Sequence, residues 1–331
     1  MTYTESTGQL RAFMERHYTN FNSRETLAAA KGYEDHLAAG GKMMVTLSGA
    51  MSTAGIGRIL ARMIREDKVH AITCTGANLE EDIFLLLAGN EYEWCPNWRA
   101  LSAEDEQALL DRGMNRVTDT CIPETVMRHF ENRLLDLWAS AETKQERRFP
   151  HEWFREVFKQ PDFADHFQKP AEDSWMLAAA EKDLPIFCPG WEDSTMGNVF
   201  TAGAIRGEYG HDVVKLGTEA MAALIEWYTE NNNAQTAAPS VGFFQVGGGI
   251  AGDFPICAVP LMIQDLKRED TPLWGYFAQV CDAVTSYGGY SGAVPNEKIT
   301  WAKLAPDTPK FMIQSDATIV APLIFGYVLG E

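Results

Sequence analysis

Basic residues are scarce in this sequence. Its 331 residues include 28 lysines and arginines against 46 aspartates and glutamates, which gives a formal net charge of -18. An acidic surface repels phosphate groups, so the balance argues against nucleic acid and anionic membranes as partners. It suits a cationic ligand, although acidic surfaces also serve simply to keep globular proteins soluble. Charge alone leaves these two interpretations open.

The six cysteines lie far apart and form no CxxC pair. This spacing excludes a zinc ribbon and a thioredoxin-type redox motif, and it favours reduced thiols in a cytoplasmic protein. The opening stretch MTYTESTGQLRAF lacks the basic leader and apolar segment of a secretory signal. The longest apolar run, ATIVAPLIFGYVLG, is too short to cross a membrane, and we predict a buried strand followed by a terminal element there.

Most familiar catalytic signatures are missing as well. The sequence contains no HExxH, GxSxG or P-loop motif, and its AGIGRIL segment lacks the third glycine of a complete GxGxxG. Seven histidines are scattered without ligand spacing, so no metal site is expected. What remains is a set of glycine-rich turns and a few charged residues.

Strand-like and helix-like segments alternate along the chain. Buried strands are predicted over residues 42–50, 69–77, 183–190 and 240–249, and helices over 23–41, 52–68, 79–87 and 211–232. Ser52 and Thr53 are candidate caps for the second of these helices. The alternation predicts an α/β fold with a doubly wound, mostly parallel sheet, which binds ligands at the carboxyl ends of its strands.

No linker divides the sequence, so we predict one large domain over residues 1–331. Within it, residues 1–25 are predicted as an N-terminal helical extension. Residues 90–183 are charged and rich in aromatics, and they are predicted as a helical covering region. The polar stretch NNNAQTAAPS is predicted as a loop rather than a domain boundary.

Four glycine-rich stretches follow predicted strands, at residues 48–57, 74–82, 190–200 and 246–253. Small residues there let a ligand approach the backbone, and the helices that follow favour phosphate groups at their N-termini. Each stretch alone is typical of an ordinary strand-to-helix turn. Four in one chain favour a nucleotide-sized ligand.

Carboxylates occur beside the same turns. Glu80, Glu81 and Asp82 follow the second predicted strand, where they either form a charged first helical turn that complements the helix dipole or bind a ligand. Further acids beside glycine turns or strand ends are Asp193, Asp253, Glu297 and Asp316. Converging carboxylates suit a polyammonium substrate.

Lys303 lies two positions after Trp301 in the segment TWAK. A lysine attacks an imine or a carbonyl only as the neutral amine, and burial beside an apolar ring favours that form. Trp301 is the candidate for such a ring. Taken alone, however, the segment favours an exposed lysine whose stem lies along an aromatic side chain.

Seven segments share their order and spacing with one known family. They are SGAMSTAGI, TCTGANLEEDIF, NRVTDTCIPE, PIFCPGWEDSTMGNVF, FFQVGGGI, SGAVPNEKITWAK and SDATIVAPLIF. The WxK of TWAK followed by SDA is particularly specific. With these segments the chain resembles the deoxyhypusine synthase family from about Phe21 to Gly326.

The resemblance implies a homotetramer of Rossmann-like subunits that bind NAD, with active sites between paired subunits. Members of the family transfer a 4-aminobutyl group from a polyamine to an amine acceptor. NAD takes a hydride from the donor amine to give an imine, and the butyl fragment passes to the active-site lysine as the remaining diamine leaves. The acceptor amine then displaces the lysine and the hydride is returned, so no net NAD is consumed.

Carried over residue by residue, the resemblance makes Lys303 the covalent lysine. It implies that Trp301 packs against the aliphatic chain of the amine and that Glu297 holds a terminal ammonium. The positions that match NAD-binding residues of the family are Thr53, Thr75, Gly76, Ala77, Glu81, Asp193, Gly247, Gly248, Gly249, Ala283, Asp316 and Ala317.

The amine pocket departs from the family pattern. Where the family has GDMIF, with an aspartate that binds the amine, this sequence has GNVF. The neutral Asn198 therefore occupies the position of that aspartate. In the segment GGGIAGD, Asp253 occupies the position of a histidine in the family. Cys257 occupies the position of an asparagine that follows this histidine in the family sequence. GGYSGA replaces GSDSGA, with Tyr290 at the aspartate. We therefore expect the chemistry of the family with an altered amine pocket.

These features predict an NAD-dependent aminobutyl transferase that acts on small polyamines. The expected donor is spermidine or a related amine, and the expected acceptor is a small amine such as putrescine, which would form homospermidine. One alternative is a true deoxyhypusine synthase, whose acceptor is a lysine of a translation-factor precursor. Another is a polyamine-binding or nucleotide-binding protein without catalysis, which the joint presence of Lys303, Trp301 and Glu297 argues against.

Overall fold

A six-stranded parallel sheet forms the centre of the fold in a computed structural model, which describes residues 8–232 and 237–331. A separate three-stranded sheet is antiparallel. The strands are β1 (Met43–Leu47), β2 (Ala71–Cys74), β3 (Glu93–Trp94), β4 (Met114–Val117), β5 (Thr120–Pro123), β6 (Ile186–Phe187), β7 (Gly242–Val246), β8 (Tyr276–Val280) and β9 (Lys310–Ile313).

The order of the central sheet is β6-β2-β1-β7-β8-β9. The chain moves outward from β1 through β2 to β6, and then returns to place β7 on the other side of β1. This reversal makes the gap between β1 and β7 the topological switch point, where open α/β sheets bind ligands. The predicted α/β, Rossmann-like parallel sheet is confirmed.

Helices cover both faces of the sheet. They are α1 (Gln9–His17), α2 (Phe21–Ala38), α3 (Gly57–Arg65), α4 (Gly76–Ala88), α5 (Ala103–Asp111), α6 (Glu124–Lys144), α7 (Pro150–Phe158), α8 (Trp175–Glu181), α9 (Thr195–Arg206), α10 (Gly217–Asn231), α11 (Ile250–Ile256), α12 (Ala258–Pro260), α13 (Glu297–Thr300) and α14 (Ala317–Val328). Successive strand residues face opposite cores. Val45 belongs to a hydrophobic cluster that includes residues of α2, α3 and α14, whereas Met44 belongs to another that includes residues of α10, α11 and α12.

Three local predictions differ from the structure. The run ATIVAPLIFGYVLG forms helix α14 rather than a strand, and Asp316 caps it by accepting a hydrogen bond from Thr318 N at 2.8 Å. Helix α3 begins at Gly57, so Ser52 and Thr53 lie in the preceding turn and do not cap it. Residues 90–183 also contain the antiparallel sheet of β3 to β5, which the sequence analysis did not predict.

Some predictions concern segments beyond the described residues. The N-terminal extension predicted over residues 1–25 includes α1, but residues 1–7 lie outside the described part of the chain. So do residues 233–236 of the predicted NNNAQTAAPS loop. The division of the chain into these regions stays a prediction. Among residues 8–232 and 237–331, every helix is either too short or too polar to cross a membrane.

Candidate active site

The predicted cofactor-binding positions all follow strands of the central sheet. Thr53 follows β1; Thr75, Gly76, Ala77 and Glu81 follow β2; Asp193 follows β6; Gly247, Gly248 and Gly249 follow β7; Ala283 follows β8; Asp316 and Ala317 follow β9. The last residues of β2, β1, β7, β8 and β9 are paired in one row across the sheet. The structure therefore brings these positions to one edge, which extends about 24 Å at the usual strand spacing.

Asn78, which the sequence analysis did not single out, holds the turns after β1 and β2 together. Its Nδ2 donates hydrogen bonds to Gly49 O at 2.9 Å and Thr75 Oγ1 at 2.8 Å. Its Oδ1 accepts one from Ser52 N at 2.9 Å. Because Asn78 is fully buried, these bonds fix the two turns relative to each other. The available signal was a polar residue inside the glycine-rich stretch CTGANLEED.

The carboxylates of Glu80 and Asp82 stabilise other helices. Glu80 accepts hydrogen bonds at 2.8 Å from the backbone N–H groups of the first two residues of α9. Asp82 accepts one from Ser174 Oγ at 2.5 Å, and two more at 3.3 and 3.1 Å from the first two N–H groups of α8. Since α4 begins at Gly76, neither acid lies in its first turn, and the dipole interpretation is wrong for α4. Both instead cap neighbouring helices.

Glu81 differs from its two neighbours because its carboxylate has no comparable set of donors. In the described residues, Glu81 Oε2 and the nearby Thr53 Oγ1 are buried without a hydrogen-bond partner. Burial raises the pKa of Glu81 to about 7. The neighbouring Thr53 partly offsets this rise in pKa. Because neither buried oxygen has a hydrogen bond of good geometry within the described part of the chain, both are suited to bond a ligand at the sheet edge.

We expect Glu81→Gln to gain stability relative to the wild type as the pH rises. Between its ordinary pKa of 4.5 and the folded value of about 7, the folded protein keeps a proton that the unfolded chain has lost. The wild type therefore loses up to about 3 kcal/mol over this window, whereas an amide does not titrate. Urea unfolding at about pH 5 and about pH 8 measures the difference, with Glu104→Gln at an exposed carboxyl as control. Parallel pH dependences of Glu81→Gln and wild type would contradict this expectation.

The glycines after β7 form a tight turn at the switch point. Gly247 and Gly249 have φ angles of +79° and +66°, which strongly favour glycine. A Cβ on Gly248 would lie 1.9 Å from Ser291 Oγ. Ser291 Oγ in turn accepts a hydrogen bond from Gly249 N at 3.0 Å. The segment before α13 therefore packs directly against the glycine turn.

A methyl group at position 248 should destabilise the fold. We expect Gly248→Ala to lower the free energy of unfolding by about 1–3 kcal/mol, because the new Cβ overlaps the Ser291 side chain. The double variant Gly248→Ala, Ser291→Gly removes the overlapping atoms and should recover part of the loss. Urea unfolding measures both. A single variant as stable as the wild type would show that the turn has room for a side chain.

Other predicted cofactor positions lie at the two ends of the edge. Gly76 is in close contact with the turn that carries Asp193, since a Cβ there would lie 2.7 Å from Ser194 Cβ. Asp193 and Asp316 are both exposed, and Asp316 caps α14. Their binding roles stay predictions.

Lys303 is only 7% exposed, so the alternative of a solvated lysine is wrong. Its Nζ lies 3.6 Å from Asp253 Oδ1 on α11 and 5.4 Å from the ring centroid of Tyr290. The Trp301 ring is farther, at 5.9 Å, and is 59% exposed. Tyr290 therefore contributes more to the enclosure of Lys303 than Trp301, to which the sequence analysis gave that role.

Two buried glutamines support the Tyr290 segment from the sheet. Tyr290 Oη donates a hydrogen bond to Gln245 Oε1 at 2.8 Å, and Gln279 Nε2 donates one to Ser291 O at 2.5 Å. Both glutamines belong to strands, β7 and β8, and both are buried. This connection joins the lysine site to the glycine turn through consecutive residues, Tyr290 and Ser291.

The backbone next to the lysine is strained. Ala302, between Trp301 and Lys303, has a φ angle of +54°, a left-handed conformation that costs a residue with a side chain about 1–2 kcal/mol. Lys303 N donates to Lys298 O at 3.0 Å, and Lys303 O accepts from Trp274 N at 3.2 Å. These bonds hold the backbone of Lys303 near the start of β8, and its side chain extends to Asp253 on α11.

The structure does not bring every predicted amine-binding residue to Lys303. Asn198 on α9 and Glu297 at the start of α13 are exposed. Within the described residues, neither side chain forms a hydrogen bond or an ion pair. Lys298, which the sequence analysis did not consider, is buried instead, with Nζ 4.7 Å from the Tyr290 ring centroid. In the sequence, the only indication of Lys298 was its position five residues before Lys303.

Comparison with known proteins agrees with this arrangement. The deoxyhypusine synthase family model matches residues 12–328. The Archaeoglobus fulgidus protein named probable deoxyhypusine synthase 1 is 27% identical over 95% of this chain and 91% of its own length. The Caulobacter vibrioides deoxyhypusine synthase-like protein is 26% identical over 92% of this chain and 78% of its own length.

A solved structure shows the same fold. The crystal structure of a candidate deoxyhypusine synthase from Entamoeba histolytica aligns with a TM-score of 0.55 at 14% identity, over 97% of this chain and 94% of that one. The family match covers nearly the whole chain, including the glycine turn, the Tyr290 segment and Lys303. The chain therefore belongs to the deoxyhypusine synthase family, a family of NAD-dependent aminobutyl transferases that act on polyamines.

Proposed function

We propose that this protein transfers a 4-aminobutyl group from spermidine or a related donor to a small amine such as putrescine, with Lys303 as the covalent carrier. The observation that carries the proposal is the enclosure of Lys303: its amine is buried between Asp253 and Tyr290, next to the segment that contacts the glycine turn. A lysine in such an environment is suited to act as a nucleophile toward an imine.

The sheet edge fits NAD as the cofactor of this reaction. Thr53 Oγ1 and Glu81 Oε2 are buried without partners in the described residues and would donate to or accept from cofactor hydroxyls. The turn Gly247 to Gly249 lets a ligand approach the backbone at the switch point. When bound, the nicotinamide supplies a reversible hydride acceptor for the donor amine.

The residues of the chain then have separate tasks. Asp253, 48% exposed at its side chain, is placed to hold an ammonium group at the open side of the lysine site. Tyr290 excludes water from Lys303 on the buried side, and its hydroxyl is already bonded to Gln245. Lys303 adds to the imine carbon of the oxidised donor, its new C–N bond replaces the bond to the departing diamine, and the acceptor amine later displaces Lys303.

The exposed site residues motivate two further elements of the proposal. Glu297, Trp301 and Asn198 face solvent in a single chain, and we propose that paired subunits of a homotetramer complete the site around them. We also propose a cytoplasmic location, in line with six free cysteines. The same open side favours one alternative, in which a protein lysine is the acceptor, because a protruding side chain can reach Lys303 past Trp301.

The test is an incubation of purified protein with NAD and spermidine, with and without putrescine, followed by mass spectrometry of the products. We expect homospermidine and 1,3-diaminopropane when putrescine is present. Diaminopropane release without homospermidine would mean that the Lys303 half-reaction occurs and the acceptor is another amine, such as a protein lysine. No release from spermidine or any related triamine would contradict the proposed transfer.

A further inference from the structure

Two lysine amines, rather than one, face the Tyr290 ring. Lys298 Nζ lies 4.7 Å from the ring centroid and Lys303 Nζ lies 5.4 Å from it. Lys298 is the more buried, at 3% exposure against 7%. Its Nζ is also 4.9 Å from the Phe277 ring centroid and has one weak hydrogen bond, 3.5 Å to Ala293 O. Within the described residues, no carboxylate lies within ion-pair distance of Lys298.

The proposed reaction needs a group that removes a proton at this site. Asp253 Oδ1 lies 3.6 Å from Lys303 Nζ, and an ordinary lysine amine is protonated near neutral pH. A charged amine has no lone pair with which to attack an imine, so its proton has to move before each transfer. The proton acceptor has to lie among the few titratable groups around the two amines.

Most of these groups are unsuited to the task. A carboxylate is a far weaker base than an amine, so the carboxyl groups at this site are unsuited to take a proton from a lysine. Burial raises the pKa of the Cys257 thiol and of the Tyr290 hydroxyl, so both keep their own protons. Lys298 is the one remaining titratable group described at the site.

We infer that Lys298 accepts the proton of Lys303 and returns it to the departing diamine, a role that rests on the proposed function. In the first step, neutral Lys298 takes a proton from charged Lys303. The Lys303 nitrogen then adds to the imine carbon of the oxidised donor, and the C–N bond to the diamine breaks. The diamine nitrogen leaves as a primary amine with two new protons, one from the Lys303 nitrogen and one from Lys298, which becomes neutral again. Lys303 remains as a protonated imine with the butyl fragment.

The environment of Lys298 supports this role. Burial, and secondly the charge of Lys303, lower the pKa of Lys298 to about 8. A base with a pKa close to the working pH exchanges protons efficiently. The transfer rate should therefore rise with pH as Lys298 loses its proton, with a midpoint near 8.

Two substitutions test whether Lys298 acts as a proton acceptor or only as a positive charge that stabilises the structure. Lys298→Arg keeps the positive charge but cannot release a proton, and Lys298→Met keeps the length without an amine. We expect both to lower the transfer rate by ~100-fold or more and to remove the midpoint near pH 8 from the pH profile. Lys159→Arg, at an exposed lysine, is the control. Full activity of Lys298→Arg with an unchanged pH profile would overturn the inference.

A second measurement does not depend on turnover. Acetic anhydride labels only neutral amines, so its rate at each lysine, read from peptide masses across a pH series, reports where that lysine titrates. We expect Lys298 to become reactive near pH 8, well before exposed lysines, which titrate near about 10.4. Lys298 labelling together with the exposed lysines would overturn the inference even if the protein proves to have another substrate. Early labelling with no aminobutyl transfer would instead count against the proposed function alone.

Discussion

Lys303→Ala is expected to reduce aminobutyl transfer by a factor of at least ~10⁴, because removing a covalent nucleophile removes the route through the enzyme-bound intermediate. The side chain is buried and contacts the site through Asp253 and Tyr290, whereas the predicted cofactor positions lie at the sheet edge. NAD affinity should therefore change little. Mass spectrometry of the amine products and calorimetric titration with NAD measure the two quantities separately.

The control is Lys303→Arg, which keeps a cation next to Asp253 but provides no nucleophile. It should be as inactive as the alanine variant and should fold at least as well, which excludes instability as the cause. Borohydride reduction during turnover should attach the butyl fragment to the peptide that contains Lys303 in the wild type only. Turnover that survives either substitution would show that the mechanism is misassigned.

Asp82→Ala is expected to lower the free energy of unfolding by about 3–5 kcal/mol, which is a large part of the stability of an ordinary domain. The Asp82 carboxylate is buried and accepts hydrogen bonds from Ser174 Oγ and from the first two N–H groups of α8. Alanine would leave these donors buried and unpaired, and it would leave a cavity between α4 and α8. Urea unfolding followed by circular dichroism measures the loss.

The Asp82→Asn variant keeps the shape of the side chain but removes its charge. The amide oxygen can still accept from α8, so we expect a loss of about 1–2 kcal/mol. Burial raises the pKa of Asp82 to about 6 from an ordinary value of 3.8, so the wild type loses stability as the pH rises through that window. The free energy of unfolding of the asparagine variant, relative to that of the wild type, should therefore be highest above about pH 6. Equal stability of Asp82→Ala and wild type would contradict the capping role.

Four strands of the central sheet, β1, β2, β6 and β7, were predictable because they are buried on both faces, whereas β8 and β9 were not among the predicted strands. Segments such as MMVTL and GFFQV have no polar alternation, and such runs between helical patterns are typical of parallel strands. The position of the candidate site followed from the same pattern, since parallel strands bring the turns after them to one edge. Glycine at 247 and 249 was informative for a physical reason, because the backbone there has a positive φ.

Other features required the three-dimensional structure. Helix α14 is apolar nearly all round, so its sequence shows no helical stripe and resembles a buried strand. Lys298 looks like any surface lysine, because nothing in its neighbours along the chain indicates that the Phe277 and Tyr290 rings enclose it. The caps formed by Glu80 and Asp82 join residues about a hundred positions apart, which local patterns cannot indicate.

The arrangement of three consecutive acids on α4 has a practical consequence. Glu80 and Asp82 hold α9 and α8 in place, and Glu81, between them, lies at the proposed cofactor site. A ligand that pairs with Glu81 thus acts on a helix to which two other helices are attached. Anything that binds only the folded protein raises its melting temperature as its concentration increases. A thermal melt can therefore rank dinucleotides by affinity before any substrate is known.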